Sequence, residues 1–452
     1  MTIEESADLA GVPANIAPVP PGRRTLSAFD VGLLWNDLSL GLLVLVTGGL
    51  LVPALDLSTA YVAIAVGTVI GCIPLALVAR AGAREALPTM VLFRPVLGRA
   101  GSYLPSALNV MQLVGWTSVE FWAMGRLANA LSIGLFRLDA FRFWLVLVAI
   151  ACTALAIAGP VVVVKRFLER FGTWIVIASG IGLTIALATT SRPANSPVTG
   201  GLPFWLAVDL VIVMPISWLP LVADPTRFAR TDRGVFSATF IGYAVGNAWF
   251  YALGAWLVVY AFAAADAPGI VAAVAGLTGG MVLVLGLLVG EAPNAFANVY
   301  SAAVSALNVV PRARATTLSV TVGAVALALA LAFTTERYEV FLFLIGSVFV
   351  PLSAMFLADY FVLSRGRYGA ERVFLGSEPG LRWRALIPWI AGFVLYHWSV
   401  PTGPDAWIDA VRTVFSSIGL PFPLFGSRLG ASVPSFVAAF ALSLLVLRRR
   451  DA

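Results

Sequence analysis

The chain has 452 residues, of which 60% are hydrophobic and only 12% charged, with a net charge of +6 and a mean hydropathy of +0.93. Soluble domains carry about 25% charged residues, so this chain lacks the polar surface that a soluble enzyme of its length needs; a secreted disulfide scaffold and a disordered chain are excluded with it. Apolar stretches of about 20 residues recur from end to end, the pattern of a multi-span, all-α integral membrane protein.

Residues 1–27 are polar and Pro-rich (PANIAPVPPGRR) and carry neither the apolar core nor the cleavage site of a signal peptide, which predicts a cytoplasmic tail. Twelve helical segments are predicted, at about 28–53, 59–79, 101–133, 142–163, 171–190, 203–223, 235–264, 279–310, 314–334, 339–363, 384–400 and 430–447. An even number of spans puts both termini on one side. Of the 29 Lys and Arg residues, 22 fall at the termini and in the even-numbered connections, and 7 in the odd-numbered ones. The positive-inside rule therefore places both termini, including 448–452, in the cytoplasm, with the chain in the plasma (inner) membrane. Residues 191–202 (SRPANSPVTGGL) read as a turn-rich outer linker and 364–383 as a charged inner loop. These boundaries divide the chain into 28–190, 203–363 and 384–447, that is five, five and two helices. An odd number of helices per repeat inverts the second repeat, as in many secondary transporters.

Ionisable side chains within a span cost a few kcal/mol each and are functional candidates by default. Asp37, Glu120, Asp209 and Glu291 lie within the apolar segments, and Asp30, Asp224 and Asp359 nearer their inner ends. Asp224 is expected to pair with Arg227 or Arg230. Segment 1 reads Leu34-Trp35-Asn36-Asp37-Leu38-Ser39-Leu40-Gly41. Its density of polar and Gly positions suits a helix that unwinds to offer backbone groups and the Asn36 and Asp37 side chains to a cation. In segment 3, Trp116 and Glu120 are four apart and share one helix face. Trp116 lies about 15 residues, roughly 22 Å, from the inner end, too deep for an interfacial tryptophan. A flat ring beside a carboxyl is what a planar heterocycle needs, a stacking surface and an edge partner. Segment 6 reads Met214-Pro215-Ile216-Ser217-Trp218-Leu219-Pro220, and two prolines near mid-span predict a discontinuous helix. In segment 8, Glu291, Asn294 and Asn298 fall at i, i+3 and i+7 on one face, and Asn presents a donor and an acceptor together. The plainer readings are a polar seam packed against neighbouring helices in segment 1, a core tryptophan and a Glu paired to another helix in segment 3, a kinked but continuous helix in segment 6, and polar glue between helices in segment 8.

Four runs, GSYLPSALNVMQLVGWTSVE, PISWLPLVADPTRFAR, PNAFANVYSAAVSALNVVPR and LIGSVFVPLSAMFLADYFVL, resemble the nucleobase:cation symporter-1 family, and more closely its cytosine permease and hydroxymethylpyrimidine-transporter branch. The likeness runs from about residue 22 to 365. It implies a leucine-transporter-type fold of two inverted five-helix repeats plus two peripheral helices. It also implies a heterocycle site between segments 1, 3, 6 and 8. Family positions carry over onto Trp116, Glu120 and Asn298. In segment 6 the family's aromatic platform does not align cleanly, and Trp218 is the nearest candidate. Sodium-coupled relatives have hydroxyl residues where this chain has Ala292 and Pro293.

The expected function is therefore import of a nucleobase or related pyrimidine by cation symport. Trp116, Glu120, Ser217, Trp218, Asn294 and Asn298 are expected to bind substrate, and Asn36, Asp37, Glu120 and Glu291 to couple the cation. A protonated Glu120 matches the amino-and-ring-nitrogen edge of a cytosine-like ring, so proton is preferred over sodium. A purine or the hydroxymethylpyrimidine precursor of thiamine presents the same edge. A membrane sensor of nucleobases is the non-transport alternative. No cofactor, metal, nucleic acid or obligatory protein partner is expected. The single histidine, His397, reads as a satisfied core group, and Cys72 and Cys152 as small core residues. A membrane enzyme would need a nucleophile–base pair or a metal cluster, and a channel a repeated pore-lining ring; neither is visible.

Overall fold

The computed structural model describes residues 12–190, 198–332, 338–375, 380–424 and 428–447. The expectations for 1–11, most of the 191–202 linker, and 448–452 lie outside the described residues. Among those described, the chain is helical, with one isolated bridge between Leu26 and Ala229.

Each predicted segment falls on a helix or a pair of helices. In chain order these are α1 (Ala28–Asp37) and α2 (Leu42–Gly49), α3 (Leu57–Glu85), α4 (Tyr103–Phe136), α5 (Phe141–Ala158), α6 (Pro160–Thr189) and α7 (Phe204–Leu221). They continue as α8 (Val235–Tyr260), α9 (Ala267–Gly276), α10 (Gly280–Val309), α11 (Ala315–Leu331), α12 (Tyr338–Leu363), α13 (Trp383–Ser399), α14 (Asp405–Ser417) and α15 (Ser432–Val446). Six are long and apolar enough to cross a membrane, and α1 with α2 makes a seventh if that bent pair is one span. Two helices of ten residues or more, α9 and α14, have no counterpart among the predicted segments, nor do the short helices Thr89–Leu92, Arg94–Leu97 and Ala370–Phe374.

Three local findings refine the expectations. Segment 1 does break: α1 and α2 meet at 56°, and the extended Gly41 precedes α2. Segment 7's predecessor is less disrupted than its two prolines predict. The α-helix runs through Pro215 to Trp218 and tightens to one 3-10 turn at Leu219–Leu221. A 3-10 turn bonds i to i+3, so the N–H missing at Pro220 is bypassed rather than left as a gap. Residues 164–170 are helix, not loop. The chain turns at Gly159, where φ is +86°, and α6 starts at once with a wide π-type stretch over Val163–Gly172. Lys165 on that stretch donates to Asp30 at 2.6 Å and ties the start of α6 to the start of α1.

The arginine-rich connections meet at one end of the bundle, termed here the basic end. Arg84 pairs with Asp232 at 2.7 Å and donates to the Gly366 carbonyl, and Arg382 donates to the Pro95 carbonyl. The expected tail is docked over its described part. Arg24 donates to the carbonyls of Ala83 and Ala229, Arg227 donates to that of Asn15, and Ile16 is buried. Arg227 makes no close ion pair with Asp224, although its charge still acts on that carboxyl. Asp224 accepts instead from the Thr89 backbone N–H at 2.9 Å. His397 is only half satisfied: its Nδ1 accepts from Trp407 on α14, while Nε2 is buried without a partner.

Asp209 proves to be a cap. From the middle of α7's outer half it accepts from the backbone N–H groups of Ala431 and Ser432, at 2.5 and 3.1 Å, where α15 begins. These are donors that no residue within α15 can satisfy. Asp209→Ala is expected to destabilise the protein by about 1–3 kcal/mol, read as a lowered thermal midpoint in detergent. An unchanged midpoint would mean that packing alone holds α15. At the basic end, burial pushes the Asp232 carboxyl up, but the Arg84 hydrogen bond and the Arg84 and Arg80 charges outweigh it and hold the group below the usual carboxylate range. Its contribution is thus complete near neutral pH and fades as pH falls through that lowered value. Asp232→Asn is expected to cost under about 1 kcal/mol at pH 7, with the gap to the parent protein closing on acidification; a gap that widens in acid would contradict this.

Candidate functional site

Where α1 gives way to α2, backbone groups are released in the interior. The N–H of Leu42, the first residue of α2, is taken by a carboxylate oxygen of Glu291 on α10. A carboxylate at a helix N-terminus satisfies an orphan donor and meets the positive end of the helix dipole. The approach is close enough to require glycine at 41: a Cβ there would lie 2.9 Å from Glu291 Oε1 and 3.2 Å from Asn294 Nδ2. The other Glu291 oxygen accepts from Asn294 at 3.4 Å. Glu120 of α4 lines the same cavity as Glu291 and interacts with it side chain to side chain, and Glu120 Oε2 is buried without a partner.

A narrow cavity, with room for about one water molecule, lies beside this contact. Its walls come from α2 and the break before it, α4, α7 and α10. Trp116, Glu120, Ser217, Trp218, Asn294 and Asn298 all line it, and so does Glu291. Besides Glu120 Oε2, three partnerless buried atoms belong to these residues: Trp116 Nε1, Asn294 Oδ1 and Asn298 Nδ2. They are one acceptor and two donors held ready in an otherwise apolar wall. Trp116 is braced edge-on by Tyr338 and Phe341, at ring-centroid distances of 6.1 and 5.2 Å. Trp218 meets Trp35 edge-on at 6.3 Å. The Ser217 hydroxyl donates back to the Met214 carbonyl at 2.7 Å, so what it offers the cavity is an acceptor.

The remaining candidates are placed differently. Asn36 is not among the cavity's lining residues; its Nδ2 donates to the Gly242 carbonyl on α8 at 3.1 Å. Asp37 also lies outside the wall. It is fully buried, with the Thr173 hydroxyl of α6 beside its carboxyl. The sequence reading missed Gly41, Met214 and Thr173. Gly41 was legible as part of the polar run in segment 1, whereas nothing local marks Thr173. No Lys, Arg or His lines the cavity among the described residues.

The chain's likeness to known proteins agrees with this geometry. The family described as permeases for cytosine/purines, uracil, thiamine and allantoin matches residues 18–418. A putative purine-cytosine permease of Bacillus subtilis, YxlA, is 27% identical over 90% of this chain and 93% of its own. The cytosine permease of Escherichia coli is 27% identical over 84% and 88%, and a hydantoin permease of Microbacterium maritypicum 22% over 86% and 83%. Among solved structures, the nucleobase-cation-symport-1 transporter Mhp1, closed with bromovinylhydantoin bound, superposes with a TM-score of 0.79 at 18% identity, covering 96% of this chain and 94% of that one. That likeness establishes the leucine-transporter-type fold. The chain is a multi-pass membrane transporter and not an enzyme. With a family match over most of its length, it belongs to the nucleobase:cation symporter-1 family of permeases.

Proposed function

We propose that this protein imports a cytosine-type nucleobase across the plasma membrane by proton symport, with both termini in the cytoplasm and twelve spans arranged as two inverted repeats of five plus two. The 22-to-7 distribution of Lys and Arg supports the orientation. In this reading the base lies between Trp116 and Trp218. Base–aromatic stacking contributes about 1–3 kcal/mol in nucleic-acid proteins. Glu120 meets the amino-and-ring-nitrogen edge, and Asn294 and Asn298 address the remaining ring atoms.

The observation that carries the proton is the contact between Glu120 and Glu291. Two carboxylates have no hydrogen to share, so one of the pair is protonated. Both Glu291 oxygens already accept, from Leu42 and Asn294, which makes Glu120 the donor. When substrate arrives, the Glu120 proton turns from Glu291 to the base, and the protonated carboxyl then presents one donor and one acceptor, the complement of a cytosine edge. Proton and substrate then meet at one residue, and no basic side chain lines the cavity to neutralise the carboxyls instead. One observation favours sodium as a second reading: the fully buried Asp37 carboxyl lies beside the Thr173 hydroxyl at the break in segment 1.

Uptake of radiolabelled cytosine into proteoliposomes is expected to persist in sodium-free buffer and to rise with an inward proton gradient. Abolition without sodium would transfer the coupling role to the Asp37 region. Glu120→Gln keeps the shape but cannot exchange a proton. It presents the donor and acceptor of a protonated Glu120, so it is expected to keep substrate affinity within a few-fold and to flatten its pH dependence. An unchanged pH profile would remove Glu120 from the mechanism.

A further inference from the structure

Between the cavity and the basic end, α4 and α10 pack against each other more extensively than any other helix pair, and α7 closes the third side. The closing segment of α7 is the 3-10 turn after Trp218, with Leu219, Leu221 and Val222 buried. Two carbonyls of this turn region point to α4 rather than along their own helix. Gln112 Nε2 donates to the Ser217 carbonyl at 3.1 Å, and Asn109 Nδ2 to the Pro220 carbonyl at 3.2 Å. Gln112 also donates to Asn109 Oδ1 at 2.8 Å, and Asn109 reaches Ser305 on α10 at 2.8 Å. The two amides thus bridge α4, α7 and α10 directly on the basic side of the cavity. Neutral amide–carbonyl bonds of this kind are individually modest, strong enough to hold a closed state and weak enough to be broken in every cycle. One further polar atom here, Gln112 Oε1, is buried without a partner and supplies polar lining once α7 moves off.

We propose that Gln112 and Asn109 are the inner latch of the transport cycle. They are positioning residues that hold α7, and with it Trp218, against α4 while the path to the basic end is shut. Their release opens that path along α4 and α10 to a nucleobase-like substrate. The inference rests on the reading of this chain as an alternating-access transporter.

The test is thiol labelling without substrate, in full-length protein carrying Cys72→Ala and Cys152→Ala. One reporter, Ser301→Cys, sits on the basic side of the cavity. The other, Leu50→Cys, lines a separate space on the outer side with Val119 and Tyr338. Adding Asn109→Leu and Gln112→Met is expected to speed labelling at the inner reporter about tenfold, from two lost hydrogen bonds of ordinary strength, and to slow it at the outer one. Gln112→Met alone, expected to give about threefold, serves if the double variant does not fold. Unchanged rates would overturn the latch. Faster labelling at both reporters would also overturn it, because that is general loosening. Opposite shifts without cytosine transport would leave the latch standing and remove the proposed substrate.

Discussion

In the apolar interior of a membrane protein, a backbone N–H or C=O released from its helix has to find another partner. Most of the informative features of this chain follow from that constraint. The break between α1 and α2 frees the Leu42 N–H, and Glu291 takes it. The tightened turn of α7 presents two carbonyls, and Gln112 and Asn109 take them. The start of α15 exposes two N–H groups, and Asp209 takes both. Each solution places a polar or acidic side chain deep in an apolar bundle, and the first places it against the cavity.

Electrostatics then separates the acidic groups by role. Asp209 faces two backbone donors and is accounted for by the fold. Asp30 and Asp232 face Lys165 and Arg84 at the basic end, where ion pairs fasten neighbouring connections. Glu120 and Glu291 face each other, with no basic group lining the cavity they share. In the proposed mechanism this pair shares one proton beside the cavity, which is the arrangement that coupling at a single residue requires.

The elements that periodicity and spacing control were legible in the sequence. All twelve apolar segments coincide with helices, and the polar run from Asn36 to Gly41 marked the break. The i, i+4 spacing of Trp116 and Glu120 and the i, i+3, i+7 spacing of Glu291, Asn294 and Asn298 put those side chains on one wall. Long-range pairing was not legible. Asp209 reads as one more buried acid until its partners, 222 and 223 positions away, are known. Asn36 belongs to the right run but turns toward α8. Gln112 lies one helical turn before Trp116 on the same face, yet its partner is a backbone carbonyl and leaves no trace in composition. Residues 164–170 were misjudged because their charges resemble a loop, whereas Gly159 had already made the turn. The two prolines of α7 overstate its disruption, because a single 3-10 turn absorbs the second.

The central claim is that substrate and proton bind at Glu120 together. Calorimetric titration of cytosine into the purified protein, repeated in buffers of different ionisation enthalpy across a range of pH, measures the protons taken up per substrate bound. Uptake rising toward one proton as pH increases, and absent in Glu120→Gln, is the predicted result. Binding with no proton uptake at any pH, or binding that appears only when sodium is added, would contradict it.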